Sequence, residues 1–153
     1  MDPQELQDRL EITDLLHRYA RALDTKDWDL LASVFTPDAH LDYTSSGCPA
    51  GPRDEVVPWL ARVLEPVPMT QHLITNVEID LDGDRATVRA LFHNPLQLPG
   101  MPGVSHCGGT YEHEVVRTPE GWRSRQLVET MLWSSNPVPP RSPSPTDETS
   151  IAD

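Results

Sequence analysis

Cysteine and long apolar segments are scarce in this sequence of 153 residues. Its two cysteines, Cys48 and Cys107, have the spacing of neither a disulfide framework nor a zinc cluster. No apolar segment approaches the ~20 residues that a membrane-spanning helix requires, which argues against a membrane protein. The first residues are acidic and then amphipathic, whereas a secretory signal begins basic and continues apolar. The sequence therefore predicts a cytoplasmic protein with two ordinary thiols.

Basic residues are also few. Lysine and arginine number 12 against 24 acidic residues, for a formal net charge of -12, which repels polyphosphates and excludes nucleic acid as a partner. A glycine-rich phosphate loop and a nucleophile elbow are missing too. Because His93, His106 and His113 lack metal-ligand spacing, the sequence predicts no metal and no cofactor, and places these histidines at the surface or an interface.

The first half of the chain has three segments that are typical of helices. Apolar residues recur every three or four positions from about residue 4 to residue 24, which predicts one long amphipathic helix. Asp27 is placed to cap a second helix over residues 28–35, ended by a turn at residues 36–38. Asp54 is placed to cap a third helix, which Pro66 and Pro68 end.

The second half is typical of strands. After a short strand at residues 40–43, the segments 77–81 and 86–91 flank Asp82-Gly83, and the segments 110–117 and 122–132 flank a turn that ends in Gly121, so two hairpins are predicted. Gly108-Gly109 is typical of a bulge that bends a sheet. The order of elements predicts one α+β domain over residues 1–136, and the Pro/Ser-rich residues 137–153 predict a disordered tail.

Four motifs resemble, in order and nearly in spacing, those of one known family. They are Ala22-Leu-Asp24-Thr-Lys-Asp-Trp28-Asp-Leu-Leu31, His40-Leu-Asp-Tyr43, Thr70-Gln-His72 and Gly121-Trp122-Arg123. On these motifs the chain resembles the scytalone dehydratase and SnoaL-like members of the nuclear transport factor 2-like superfamily. The resemblance implies a cone, in which a curved antiparallel sheet backed by three N-terminal helices encloses one deep pocket. It also implies a homodimer or homotrimer.

The resemblance assigns Asp24, Tyr43 and His72 to the family's active site, where an aspartate at the end of the long helix works with histidines and tyrosines. Two positions depart from the family, since Leu23 stands where it has a tyrosine and Asn94 lies at or near its second histidine. From the residues alone, a histidine oriented by a carboxylate suits proton transfer near neutral pH. The same residues are equally compatible with a helix-capping Asp24 and an ordinary strand-edge His72.

Further candidates complete this predicted site. Tyr19, one helical turn before Leu23, and Tyr43 carry phenols that suit an oxyanion, although a tyrosine on a core stripe also packs without a chemical role. Asn94 is a candidate to hold a water or a substrate oxygen, although Asn-Pro also ends strands. The candidates for the substrate-binding wall, which are equally typical of a core, are Leu23, Trp28, Met69 and Trp133.

Together these residues predict a cofactor-independent general acid/base enzyme, either a dehydratase, an isomerase or a cyclase. Its substrate would be a hydrophobic polyketide, steroid or terpenoid-like alcohol or ketone, with His72 moving the proton and Asp24 stabilising its charge. Dehydration is the first choice, because the motifs most resemble those of scytalone dehydratase. The alternative is a non-catalytic small-molecule-binding or accessory/assembly module of the same fold.

Overall fold

The computed structural model describes residues 2–136, so the predicted disordered tail lies outside the described residues. Three helices are present, α1 (Pro3–Thr25), α2 (Trp28–Val34) and α3 (Arg53–Leu64). Asp2 and Asp27 cap α1 and α2 by accepting hydrogen bonds from the backbone N–H groups of Glu5 at 2.8 Å and Leu30 at 3.0 Å. Within residues 2–136, no helix has the length and apolar character needed to span a bilayer.

Seven strands form one curled sheet against these helices. Their order across the sheet is β2-β1-β7-β6-β5-β3, and β4 also pairs with β5. The strands are β1 (Phe35–Asp42), β2 (Ala50–Pro52), β3 (Met69–Thr70), β4 (Leu73–Asp82), β5 (Arg85–Gln97), β6 (Ser105–Thr118) and β7 (Gly121–Ser135).

The sheet is mixed, which corrects the prediction of an antiparallel one. Strands β1 and β7 run parallel, whereas the other pairs are antiparallel. Hairpin signals in the sequence fix the direction of β4 to β7 only, because β1 reaches β7 through a long connection that no tight turn constrains. The helices and curled sheet together give the cone-like α+β fold that the resemblance implies.

Two element boundaries differ from the sequence prediction. The residues around Pro37, predicted as a turn, continue directly from α2 into β1. Pro37 is tolerated there because the pairing with β7 skips from Phe35 to His40, so its missing N–H breaks no ladder bond. Helix α3 begins at Arg53, and Asp54 is not its cap but accepts a hydrogen bond from Arg53 Nε at 2.8 Å.

Both predicted hairpins and the predicted bulge are present. Gly83 has a φ of +59° in the β4–β5 turn and Gly121 has a φ of +100° in the β6–β7 turn, a region that other residues rarely adopt. The register of β6 and β7 shifts between Gly108 and Gly109, where β7 contributes an extra residue. Side chains of β7 beyond this bulge therefore change faces.

One face of α1 is fixed on the concave side of the sheet by buried apolar side chains. Burying each such side chain stabilises the fold by ~1.5–3 kcal/mol, so this contact determines where the end of α1 lies. The buried apolar residues on α1 are Ile12, Leu15, Leu16, Tyr19, Ala20, Ala22 and Leu23, and those on the sheet include Val88, Ala90, Tyr111 and Leu127.

A partly buried ion pair fixes the other end of α1. Arg117 donates from both terminal nitrogens to Asp8, at 2.8 and 2.7 Å, and Trp122 Nε1 donates to the same carboxylate at 3.2 Å. The hydrogen bond from Arg117 holds the pKa of Asp8 down to about 2 against the opposing effect of burial. With both ends held, α1 presents Asp24 at a defined place.

Candidate functional site

Asp24 and His72 form a hydrogen-bonded pair where α1 ends and β4 is about to begin. Asp24 Oδ1 lies 2.6 Å from His72 Nδ1, and Asp24 Oδ2 accepts the backbone N–H of His72 at 2.8 Å. Thr70 Oγ1 also donates to Asp24 Oδ1, at 2.9 Å. One carboxylate thus holds both the ring and the backbone of His72, whose side chain is only 8% exposed.

The charge of Asp24 determines which ring nitrogen of His72 is free. Burial opposes ionisation of Asp24, but the hydrogen bonds and charge of His72, together with Thr70, hold the pKa of this carboxyl below its usual value. An ionised carboxylate only accepts hydrogen bonds, so Nδ1 carries the hydrogen and Nε2 carries the lone pair of the neutral ring. Nε2 is therefore the atom at which the pair exchanges a proton.

Asn94, on β5, faces this free nitrogen. Its Nδ2 lies 3.2 Å from His72 Nε2, and its Oδ1 is buried with no hydrogen-bond partner among the described residues. An NH₂ group donates to the lone pair of neutral Nε2, and the amide oxygen accepts from protonated Nε2 after rotation of the amide. Asn94 is thus suited to both protonation states of the ring.

Three tyrosines stand together near the pair. Tyr19 Oη lies 2.9 Å from Tyr43 Oη, and the ring of Tyr111 packs edge-on against Tyr19 with centroids 5.3 Å apart. Burial raises the pKa of all three phenols well above the ordinary value. They remain neutral hydrogen-bond donors, the type of group that stabilises an oxygen gaining negative charge.

A cavity of about 190 Å³ is lined by His72 and the three tyrosines, while Asp24 lies behind His72 and does not line it. This volume is below the ~300–1,000 Å³ of typical small-molecule pockets, so it suits a compact molecule. Its wall is mostly apolar, with Leu23, Leu60, Phe92 and Leu96 among the lining side chains. Larger surface depressions lie away from the pair and are lined mainly by polar and charged residues.

Sequence reasoning missed Glu129 and Tyr111, which both line the cavity. They are direct cross-strand partners on β7 and β6. Burial raises the pKa of Glu129, partly offset by Ser46, His72 and Tyr111, and its Oε1 has no hydrogen-bond partner among the described residues. The signal was present in the alternation of Leu127, Glu129 and Met131, which places an acid at an inward-facing position of a strand.

Of the predicted binding residues, the structure brings Leu23 and Asn94 to the cavity but not Trp28, Met69 or Trp133. Trp28 packs partly buried against the core and Met69 lies on the short strand β3. Trp133 follows the bulge in β7, so it faces outward, lies across Gly108 and contacts His93 with ring centroids 5.6 Å apart. Regular alternation from Met131 would place Trp133 on the inner face, and the bulge reverses this orientation.

The remaining histidines lie outside the cavity. His93 and His106 stack on the outer face of the sheet, with ring centroids 5.2 Å apart, as expected for surface residues. His113 is instead buried, which corrects its predicted surface position, and burial lowers its pKa to about 3. Across residues 2–136, no three histidine, cysteine or acidic side chains converge on a possible metal position.

Comparison with known proteins identifies a matching family and several similar proteins. A model of the SnoaL-like domain matches residues 4–128. The protein Rv2910c of Mycobacterium tuberculosis is 41% identical over 127 residues, covering 82% of this chain and 86% of the relative. Scytalone dehydratase arp1 of Aspergillus fumigatus is 26% identical over 145 residues, covering 85% of each chain. The crystal structure of Kfla4162 from Kribbella flavida has a TM-score of 0.79 at 30% identity, covering 86% of this chain and 95% of that one.

Proposed function

Because this chain belongs to the SnoaL-like domain family, we propose that it is a cofactor-independent general acid/base enzyme acting on a hydrophobic alcohol or ketone. One observation carries the proposal. The lone-pair nitrogen of a carboxylate-held histidine, His72 Nε2, lines a small apolar cavity that also contains neutral phenols. This combination suits removal of a proton from a carbon atom next to a carbonyl group.

In this reaction, neutral His72 takes the carbon-bound proton at Nε2. Asp24 stabilises the resulting imidazolium, because its carboxylate lies 2.6 Å from the protonated Nδ1. One of the hydroxyls of Tyr19 and Tyr43 donates to the other at 2.9 Å, and the second donates to the carbonyl oxygen as it becomes an enolate oxygen. The enolate then either expels a hydroxyl group from the neighbouring carbon, which is dehydration, or takes the proton back at a different carbon atom, which is isomerisation.

Dehydration of a compact substrate is the favoured form of this proposal. Scytalone dehydratase arp1, whose name states a dehydration, is among the relatives. A cavity of about 190 Å³ suits a molecule of one or two rings, and a four-ring steroid exceeds it. Of the predicted substrate classes, small polyketide or terpenoid-like ketones therefore fit best.

Loss of water from 4-hydroxy-4-phenylbutan-2-one tests this function, since the conjugated product absorbs strongly in the ultraviolet. The purified protein should accelerate the reaction, and His72→Ala should lower kcat by ~10²-fold or more, the usual contribution of a positioned acid or base. His17→Ala is the control, because His17 is exposed on α1 far from the cavity lining. A wild-type rate equal to that of His72→Ala would contradict the proposal.

A non-catalytic binding module is the second candidate, and one contact favours it. Asn94 Nδ2 already donates to His72 Nε2 and must give way before that nitrogen accepts a substrate proton. A binding module should take up 4-phenylbutan-2-one equally well in wild type and His72→Ala, as measured by calorimetry, and should turn over neither this ketone nor its hydroxylated form.

A further inference from the structure

The carboxyl group of Glu129 lines the cavity but takes no part in the hydrogen bonds between Asp24 and His72. Glu129 projects from β7, and β6 separates β7 from the strand that carries Asn94. Two strand spacings amount to ~10 Å, so the carboxyl lies on a different part of the wall from His72. The cavity is therefore lined by two groups capable of carrying a proton, His72 and Glu129.

The position of Glu129 is fixed by its backbone. Ser45 Oγ donates to the carbonyl oxygen of Glu129 at 2.9 Å and accepts the N–H of Met131 at 2.8 Å. These two bonds fasten the loop after β1 to β7 on both sides of residue 130. The Glu129 side chain is thereby held on the cavity wall beside Tyr111.

The surroundings of this carboxyl favour its neutral form. No lysine or arginine is among the residues that line the cavity, and Glu129 Oε1 is sealed from solvent without a partner among the described residues. Burial raises its pKa, while the hydroxyls of Ser46 and Tyr111 and the charge of His72 offset this only in part. The net effect is a raised pKa, which enlarges the fraction of this carboxyl that keeps its proton.

The neighbouring groups are poorer proton donors. Burial raises the pKa of the phenols of Tyr19, Tyr43 and Tyr111 and of the thiols of Cys48 and Cys107. Each of these groups therefore holds its hydrogen more tightly than it does in water. A carboxylic acid is the strongest neutral acid on this wall.

We propose that Glu129 is the catalytic acid of this cavity, donating its proton to the oxygen atom that leaves the substrate while His72 takes the carbon-bound proton. The inference rests on the proposed function and deepens it. In this step the acidic C–H and the leaving hydroxyl of the substrate lie on adjacent carbon atoms.

The proton and bond balance of this step closes without another reactant. His72 Nε2 gains the proton of the carbon next to the carbonyl, and the C–H electrons form the enolate. The enolate electrons then form the C=C bond as the C–O bond breaks. The leaving hydroxyl takes the Glu129 proton and departs as water. The enzyme is then left with protonated His72 and ionised Glu129, and transfer of one proton between them through water restores both.

Two reactions of matched probes separate the two roles. Exchange of the α-hydrogens of 4-phenylbutan-2-one in D₂O, followed by NMR, needs only the base, whereas loss of water from 4-hydroxy-4-phenylbutan-2-one needs the base and the acid. Glu129→Gln, which keeps the shape of the side chain, should lower the dehydration rate by ~10²-fold or more and change the exchange rate by less than ~3-fold. Glu112→Gln, on the exposed face of the adjacent strand, is the control for both reactions.

Each outcome of this experiment is decisive. Loss of dehydration with retained exchange in Glu129→Gln supports the inference, and a restored dehydration rate in Glu129→Asp would add to that support. Unchanged dehydration in Glu129→Gln overturns the inference and leaves the proposed function standing. If wild type exchanges no faster than His72→Ala and does not dehydrate the hydroxy ketone, the proposed function fails and the inference fails with it.

Discussion

A carboxylate at the C-terminal end of a helix is unfavourably placed, because the helix dipole is negative there. Asp24 occupies such a position, one residue before the end of α1. Its pKa is nevertheless held below the usual value, and the side chain and backbone of His72 supply most of the compensating hydrogen bonds. Asp24 and His72 therefore depend on each other for their charge state and orientation.

This dependence predicts non-additive effects of substitution. Asp24→Asn should lower the dehydration rate, because an amide no longer stabilises the imidazolium charge. The double variant with His72→Ala should be little slower than His72→Ala alone, since the two residues act as one unit. Steady-state kinetics of wild type, the two single variants and the double variant give the coupling energy between Asp24 and His72. Additive losses of rate would show that Asp24 acts independently of His72.

Some of the individual site residues could be predicted from the sequence, and others could not. The resemblance singled out Asp24 and His72, and the structure places the two in contact. The capping alternative is excluded for the second helix, because Asp27 rather than Asp24 caps it. Glu129 had no motif to mark it, since its inward orientation depends on the register of β7 with β6, a long-range property.

At the scale of elements, β6 and β7 carry a buried group whose titration is linked to folding. His113, on β6, donates from Nδ1 to Ser124 Oγ at 2.9 Å, while its Nε2 is buried without a partner among the described residues. Protonating this ring would place an uncompensated charge in the core. The fold therefore requires neutral His113, and burial lowers its pKa from 6.5 to about 3.

His113 should make the protein less stable as the medium becomes acidic. Between a pH of about 6.5 and about 3 the unfolded chain binds a proton that the folded chain does not, so the free energy of unfolding falls as the pH decreases. When the pH is lowered from ~7.5 to ~5, this proton binding lowers the free energy of unfolding by about 2 kcal/mol.

Urea denaturation at the two pH values checks this prediction. His113→Gln should show a smaller loss of stability than wild type over the interval, whatever its stability at the higher pH. His40→Gln is the control, because His40 is exposed on β1. Equal losses in wild type and His113→Gln would mean that His113 titrates in the folded protein as it does in the unfolded chain.

The elements themselves were largely predictable, and the exceptions depend on pairing between strands that are distant in the sequence. Helical periodicity and the turn glycines were sufficient for α1 and both hairpins, because those signals lie within each segment. The parallel pairing of β1 with β7 had no local signal. The bulge at Gly108-Gly109 was recognised, but the resulting outward orientation of Trp133 requires knowing on which strand the extra residue lies.

At the scale of the whole molecule, the homodimer or homotrimer implied by the resemblance stays a prediction. Leu132 and Trp133 are 66% and 48% exposed on β7 and would supply apolar area to such an interface. Light scattering at micromolar concentration should give two or three times the chain mass of 17.1 kDa. Leu132→Glu should shift the mass towards the monomer, whereas Leu10→Glu, at a residue 60% exposed on α1, should not. A monomeric wild type would reject the prediction.

The proposed acid/base function depends on one step, in which His72 Nε2, oriented by Asp24, removes a carbon-bound proton inside the cavity. Its most direct test is the rate of deuterium incorporation next to the carbonyl of 4-phenylbutan-2-one in D₂O, measured by NMR with wild type and His72→Ala. Wild type should exceed His72→Ala by ~10²-fold or more, because His72 is the base that removes the proton. Equal incorporation in the two proteins, both folded by circular dichroism, would contradict it.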